Sequence, residues 1–186
     1  MDKAHLLYLQ NRVAYARDQA AYKELYLYFH PSIYKLAGLI IPQESIVEEI
    51  VSDVMIRVWT MEHKLAYVNH LKTYLLTATR NTAINYLRKR GEENILSDDA
   101  WEQPISPAGI PDQQLITMEL TEIIERTVQS LPRKCQLVYR LIKEDGLSYR
   151  EARDILHLSQ NTLETHMANA LKKLRTVLDS YLLKKK

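Results

Sequence analysis

Leu71–Arg90 reads LKTYLLTATRNTAINYLRKR. It carries Lys72, Arg80, Arg88, Lys89 and Arg90, no carboxylate, and neither Pro nor Gly. About five turns of helix can therefore run unbroken. Leu71, Leu75, Ala78 and Thr82 fall on one side, and Leu76, Ala83 and Leu87 on nearly the opposite one. A helix that is apolar on two sides is wedged between neighbours, so this stretch predicts a helical bundle around it. Thr77, Asn81, Asn85 and Arg88 form a polar strip between the two apolar sides. Amides and cations on one face suit phosphate contacts and hydrogen bonds to bases, although a solvated basic face has the same composition. The next stretch sharpens the contrast. Gly91–Gln114 holds Glu92, Glu93, Asp98, Asp99, Glu102 and Asp112 with no Lys or Arg.

The 186-residue chain has a formal net charge of only +2, so any basic surface must come from segregation of charge. Gly and Pro are scarce. The expected class is all-α, with two small helical domains joined by a flexible acidic linker. Residues 1–90 form the first domain, 91–114 the linker and 115–186 the second. The linker holds Pro104, Pro107, Pro111, Gly91 and Gly109 with its acidic run, a composition that resists regular structure. Cys135 is alone and reads as a buried core thiol. No signal peptide and no membrane-length apolar run is visible, so the chain reads as soluble and cytoplasmic.

In the first domain the pattern predicts helices over 3–17, Gln19–Phe29 and Ser32–Ile41. Asp18 caps the second, and Pro31 separates the second from the third. Tyr8, Tyr15, Tyr22, Tyr26, Tyr28 and Tyr34 read as a core stripe. Ser45–Glu48 has the form of a capping box, which starts a helix at Ile46. Its core stripe is Val47, Ile50, Val51, Val54 and Val58. The opposite side shows Glu49, Ser52, Asp53, Ile56 and Arg57, where Ile56 is either an ordinary exposed apolar residue or the centre of a protein contact. Residues 60–70 link this helix to the basic one.

The second domain opens with Leu115–Gln129, apolar at Leu115, Met118, Ile123 and Val128. The chain restarts at Pro132 with a stripe of Leu137, Val138, Leu141 and Ile142, and stops at Gly146, which suits a left-handed cap. Ser148–Glu151 is a second capping box, opening a short helix whose inward side reads as Tyr149, Ala152 and Leu156. Ser159 caps a last helix from Gln160 to about Leu183, with Leu163, Met167, Ala170, Leu174 and Val177 inward. Short helix, turn and longer helix over about 148–175 have helix-turn-helix spacing. Ser159, Asn161, Thr162, Thr165, His166, Asn169, Lys172 and Lys173 are the candidate DNA-facing residues. A plain helical hairpin has the same spacing. The Lys184–Lys186 tail favours both readings equally.

These residues together resemble a family, the bacterial RNA polymerase sigma factors of the extracytoplasmic-function group. VEEIVSDVMIRVW (47–59) resembles the polymerase-clamp helix of sigma region 2, and ATRNTAINYLR (78–88) the part that reads and opens the minus-10 element. Leu131-Pro132, GLSY (146–149), TLETH (162–166) and ALKKLR (170–175) resemble region 4, the minus-35 reader. The resemblance implies a core polymerase contact by Glu49, Asp53, Ile56 and Arg57. It implies minus-10 contacts by Thr77, Asn81, Asn85, Arg88, Lys89 and Arg90, and minus-35 contacts by the eight residues named above. The implied partners are core RNA polymerase and promoter DNA, and the resemblance admits a membrane-linked anti-sigma factor as a third. No cofactor, metal, small-molecule substrate or catalytic residue is implied, since the polymerase performs the chemistry. The acidic linker would run through polymerase channels. No metalloprotease, phosphate-loop or Ser/His/Asp pattern is visible. The other reading is a free-standing helix-turn-helix regulator, which has no need of the 46–59 face. Three positions depart from the family pattern: Asn85 where Asp is common, Arg153 at the helix crossing, and His157 where Gly usually turns. Arg153 is expected to carry its charge to the rim, towards a phosphate or a carboxylate such as Glu164.

Overall fold

The computed structural model describes residues 1–91 and 115–184, apart from the side chains of 115–118, 182 and 184. The acidic linker expected over 91–114 therefore lies, except for Gly91, outside the described residues. So do the end of the lysine tail and the side chains of Leu115 and Met118. The chain divides into two compact units, Met1–Glu93 and Asn94–Lys186. All regular structure among the described residues is helical.

Unit 1 is built from α1 (Lys3–Ala16), α2 (Gln19–Ile40), α3 (Glu44–Thr60), a 3-10 connector (Glu62–Tyr67) and α4 (Leu71–Lys89). Asp2 caps α1 by accepting from the His5 N–H, and Asp18 caps α2 by accepting from the Ala20 and Ala21 N–H groups. The inward side of α1 is Leu9, Gln10, Val13 and Ala14, while Ala16 is exposed.

The break expected at Pro31 is absent, and α2 runs through it. Pro31 is exposed, and Phe29 before it and Ile33, Leu36 and Ile40 after it all face the core. An interior proline costs about 3 kcal/mol, and each large side chain buried beyond it contributes roughly 1.5–3 kcal/mol, so burial wins. The Ser45 capping box is also absent. Gln43 precedes α3 without a side-chain cap, and its carbonyl accepts from the Ile46 and Val47 N–H groups. Ile46 and Val47 are both buried, which fixes the helix start earlier than the sequence motif placed it.

The tyrosines are not core either. Tyr22, Tyr26 and Tyr34 are half-buried and Tyr8, Tyr15 and Tyr28 exposed. Leu, Ile and Val side chains with Phe29 fill the interior instead. Two of the half-buried tyrosines reach α3, Tyr22 edge-on to Trp59 at 5.0 Å and the Tyr34 hydroxyl donating to Glu44 at 3.0 Å.

The two-sided reading of α4 matches its packing. Leu71, Leu75 and Ala78 are buried on one side, Leu76, Ala83 and Leu87 on the other, and the helix packs against both α2 and α3. The buried Thr79 hydroxyl is satisfied by the Leu75 carbonyl at 2.8 Å.

Unit 2 contains α5 (Leu115–Gln129), α6 (Arg133–Tyr139), a π-helical turn (Arg140–Glu144), α7 (Tyr149–Leu156) and α8 (Gln160–Lys184). Val128, Leu131, Cys135, Ala170 and Leu174 form one of its buried clusters. Gln136 is buried but satisfied, donating to the Gln129 and Leu131 carbonyls at 2.9 and 2.7 Å. Gly146 has φ +70, a conformation other residues rarely adopt, and the space around it is open, so the backbone alone selects glycine there.

Candidate nucleic-acid interface

On α3 the side opposite the buried Val47, Ile50, Val51, Val54 and Val58 presents Glu49, Asp53, Ile56 and Arg57, all exposed. Ile56 is 57% exposed amid these charges. The valine-rich inner side leaves no freedom in how this surface faces out, so the apolar spot and its charged surround are fixed together.

On α4 the polar strip lies between two buried sides. Asn81, Asn85, Arg88, Lys89 and Arg90 are exposed and Thr77 is half-buried, its hydroxyl donating to the Thr73 carbonyl at 2.8 Å. The Arg90 guanidinium lies 5.8 Å from the Tyr86 ring. Arg80, not among the candidates, is half-buried. It donates to Asn81 Oδ1 at 3.3 Å, and burial lowers its pKa from the ordinary value. A cation held against an amide of the strip was legible in the sequence only as one of five basic residues.

In unit 2 the capping box on α7 is complete: Ser148 accepts from the Glu151 N–H, and the Glu151 carboxylate accepts from the Ser148 N–H. His157 takes the turn in the left-handed region, φ 53 and ψ 42, with its N–H on the Arg153 carbonyl, so histidine occupies the conformation that glycine usually supplies. The inward side of α7 is rotated from the expected one. Ala152 and Ile155 are buried, Tyr149 is 39% exposed and Leu156 half-buried. That rotation carries Arg153 to the edge, where it donates to Asp154 Oδ1 at 3.0 and 2.7 Å. Glu164 instead accepts from Gln160 at 2.5 Å.

α8 exposes Asn161, Thr165, Asn169, Lys172 and Lys173. Lys173 and the remaining candidates are engaged locally. Ser159 accepts from the Thr162 N–H at 3.1 Å and shares a hydrogen bond with the Thr162 hydroxyl at 2.8 Å, so it serves as the cap. Lys173 donates to the Ser130 carbonyl at 2.7 Å, tying α8 to the turn before α6. His166 is half-buried with Nδ1 3.6 Å from Cys135 Sγ, and its Nε2 is buried without a partner. Burial and the charge of Lys134 lower its pKa below the ordinary histidine value, so the ring is mostly neutral at pH 7. Burial pushes the Cys135 thiol up. His166 therefore joins α6 to α8 rather than standing with the exposed residues. Its i−4, i+3, i+7 relation to Thr162, Asn169 and Lys173 gave no sign of this, because the thiol it meets is 31 residues away.

Among the described residues no group of three or more His, Cys, Asp or Glu is placed to hold a metal, and no helix is long and apolar enough to cross a membrane. The surfaces offered are two faces of unit 1 and one helix face of unit 2.

The family comparison matches that division. Residues 25–93 match the model described as Sigma-70 region 2, and residues 121–174 match Sigma-70, region 4. The chain belongs to the sigma-70 family, in its extracytoplasmic-function group. It is 27% identical over 161 residues to the ECF RNA polymerase sigma-E factor of Escherichia coli (strain K12), covering 82% of this chain and 84% of that one. It is 22% identical over 169 residues to the ECF RNA polymerase sigma factor SigW of Bacillus subtilis (strain 168), covering 87% and 90%. The fold is shared with the sigma factor RpoE of Bartonella quintana, solved in complex with the anti-sigma factor NepR. That likeness has a TM-score of 0.56 and 22% identity, and covers 84% of this chain and 96% of the other. CnrH, solved with the cytosolic domain of CnrY, also has a TM-score of 0.56, at 19% identity, covering 95% and 98%. As a sigma factor the chain binds core RNA polymerase and promoter DNA and directs transcription initiation; the family is non-catalytic.

Proposed function

We propose that the two units divide the work of promoter recognition. Residues 1–90 bind core polymerase through Glu49, Asp53, Ile56 and Arg57 on α3, and read and open the minus-10 element through Thr77, Asn81, Asn85, Arg88, Lys89 and Arg90. Residues 115–186 read the minus-35 element through the helix-turn-helix at about 148–175, with Asn161, Thr165, Asn169 and Lys172 outermost and Ser159, Thr162, His166 and Lys173 supporting. The observation that carries this reading is the carboxylate-free polar strip of α4, held between two buried sides in the same unit as the Ile56 face. A free-standing regulator needs only the second unit. The chain acts in the cytoplasm, where its polymerase is, and a membrane-linked anti-sigma factor is its candidate third partner, as RpoE of Bartonella quintana was solved with the anti-sigma factor NepR.

Co-purification with core polymerase followed by transcription from a promoter selected out of random DNA tests the reading. A chain that binds such DNA alone but never joins core enzyme overturns it. The strip divides further. Arg88→Ala lowers promoter affinity about uniformly across sequences and reduces the salt slope by about 1, as a phosphate contact does. Asn81→Ala acts selectively on minus-10 variants, with a base contact contributing ~1–3 kcal/mol. Binding assays on a panel of minus-10 sequences separate the two, and an equal loss on every sequence for Asn81→Ala removes its assignment as a base reader.

A further inference from the structure

His166 lies on α8 between the exposed Thr165 and Asn169, yet its ring turns inward onto α6. Nδ1 is 3.6 Å from the thiol of Cys135, itself 3% exposed, and Nε2 is buried without a partner among the described residues. The charges that bear on this contact are cations. Lys134 on α6 acts on the ring, and Lys173, two turns along α8, acts on the thiol while donating to the Ser130 carbonyl. Among the described residues no carboxylate of α5, α6, α7 or α8 acts on the ring. Its neighbours one turn either way on α8 are Thr162, Leu163, Asn169 and Ala170, which carry no charge. Burial lowers the pKa of Arg133 and Lys134 alike, so the start of α6 already holds two cations that are poorly solvated.

A neutral ring suits this place. Nδ1 and the weakly polar thiol share one proton, and Nε2 is left as a bare acceptor. A protonated ring does not suit it. Imidazolium has two N–H donors and no acceptor, so Nε2–H would be buried without a partner while a third cation joined Arg133 and Lys134. The side chain is only half-buried, so it has a way out, along the side of α8 that Thr162 and Asn169 occupy. Once outside, an imidazolium attracts any phosphate and carries no sequence information. α8 meanwhile loses a side chain that fixes its rotation on α6.

We propose that neutral His166, seated against Cys135, is a positioning residue that holds α8 on α6 for minus-35 reading, and that protonation unseats it, so that selectivity for the minus-35 element is lost in acid. The proposal rests on the minus-35 reading above and adds a regulation to it. A seated ring takes up a proton less readily than a free one. The seat is therefore held fully above the ordinary histidine value of about 6.5 and is lost as pH falls below it.

The test is a ratio of affinities, that of the full chain with core polymerase for a selected promoter over that for the same promoter with its minus-35 element scrambled. It is measured from about pH 7.5 to about pH 5.5, across the ordinary histidine value. Groups of unit 1 and of the polymerase act on both DNAs alike and cancel. The wild-type ratio falls several-fold, and by at most about tenfold over the one unit below the ordinary value, the limit for a single proton. His166→Met, which cannot titrate, holds its ratio constant over the same range, and His166→Gln is the second variant if a thermal melt shows His166→Met to be poorly folded. In nitrogen NMR spectra of the free chain, the ring signals that vanish in His166→Met keep the neutral pattern below the ordinary value. A flat wild-type ratio overturns the proposal, since a side chain that only fills space gives no pH dependence. So does a ratio that falls in His166→Met in parallel with the wild type, which assigns the effect to another group such as His157 at the turn. A wild-type chain that, with core enzyme, does not distinguish the two DNAs even at neutral pH instead removes the minus-35 reading on which the proposal stands.

Discussion

Ile56→Glu weakens binding to core RNA polymerase by about 2 kcal/mol or more, roughly thirtyfold, as loss of a central interface residue does. The side chain is 57% exposed in the free protein, so its removal opens no cavity and folding stability changes by less than about 0.5 kcal/mol. The new carboxylate adds a second effect. It joins Glu49 and Asp53 on the same surface and places three acidic groups where a partner apolar surface is to be desolvated. Asp53→Arg changes the charge pattern without touching the apolar centre. It acts more weakly and with greater salt sensitivity, because rim charges are screened. Titration of labelled chain with core enzyme, beside a thermal melt, reads both variants. Core affinity that survives both substitutions places the polymerase contact elsewhere on the unit.

Ile56 was legible in the sequence because helical period and valine density determine which side of α3 is inward, and anything apolar left outside stands out. The α4 strip was legible for the same reason. Features set by distant partners were not. His166 shares the period of the exposed face, and only the thiol of Cys135 and the charge of Lys134 draw it inward. Gln10 sits beside the apolar Leu9 on α1, and its value lies in two carbonyls more than fifty residues on. Pro31 shows the opposite failure. A strong local breaker was overruled because the apolar period continued in phase across it, which the sequence did contain. The inward side of α7 was misjudged through phase as well, although Arg153 does carry its charge to the edge. An eight-residue helix has little more than two turns, so a modest rotation exchanges Tyr149 for Ile155 on the inner side.

Arg140 shows what a buried cation needs, and its removal is the other large effect expected. Its side chain is 11% exposed. Nη2 donates to Glu125 at 2.7 Å and Nη1 to both oxygens of Glu144 at 3.0 and 2.9 Å, so one guanidinium joins α5 to the π-helical turn after α6. Burial alone lowers the pKa of this guanidinium, but the two carboxylates more than offset it and hold it above the ordinary value. The Asp145 N–H reaches back to the Arg140 carbonyl at 2.9 Å, the wide turn that leads into Gly146 and the start of α7. Arg140→Met keeps the apolar stem but removes the guanidinium from between Glu125 and Glu144, which are 22% and 30% exposed. Breaking such a pair from one side costs about 3–5 kcal/mol, whereas replacing all members by apolar groups is often neutral. For a unit of this size that is a fall in melting midpoint on the order of 20–30 °C. Minus-35 binding is expected to fall with it, since α7 packs on the turn and on α8, while core-polymerase binding by unit 1 is expected to stay. Circular-dichroism melts of Arg140→Met and of the triple variant Glu125→Leu, Arg140→Met, Glu144→Leu decide the matter. Recovery of the midpoint in the triple variant assigns the loss to the two carboxylates that the guanidinium neutralised. No recovery assigns it to the geometry that the guanidinium imposes between α5 and the turn.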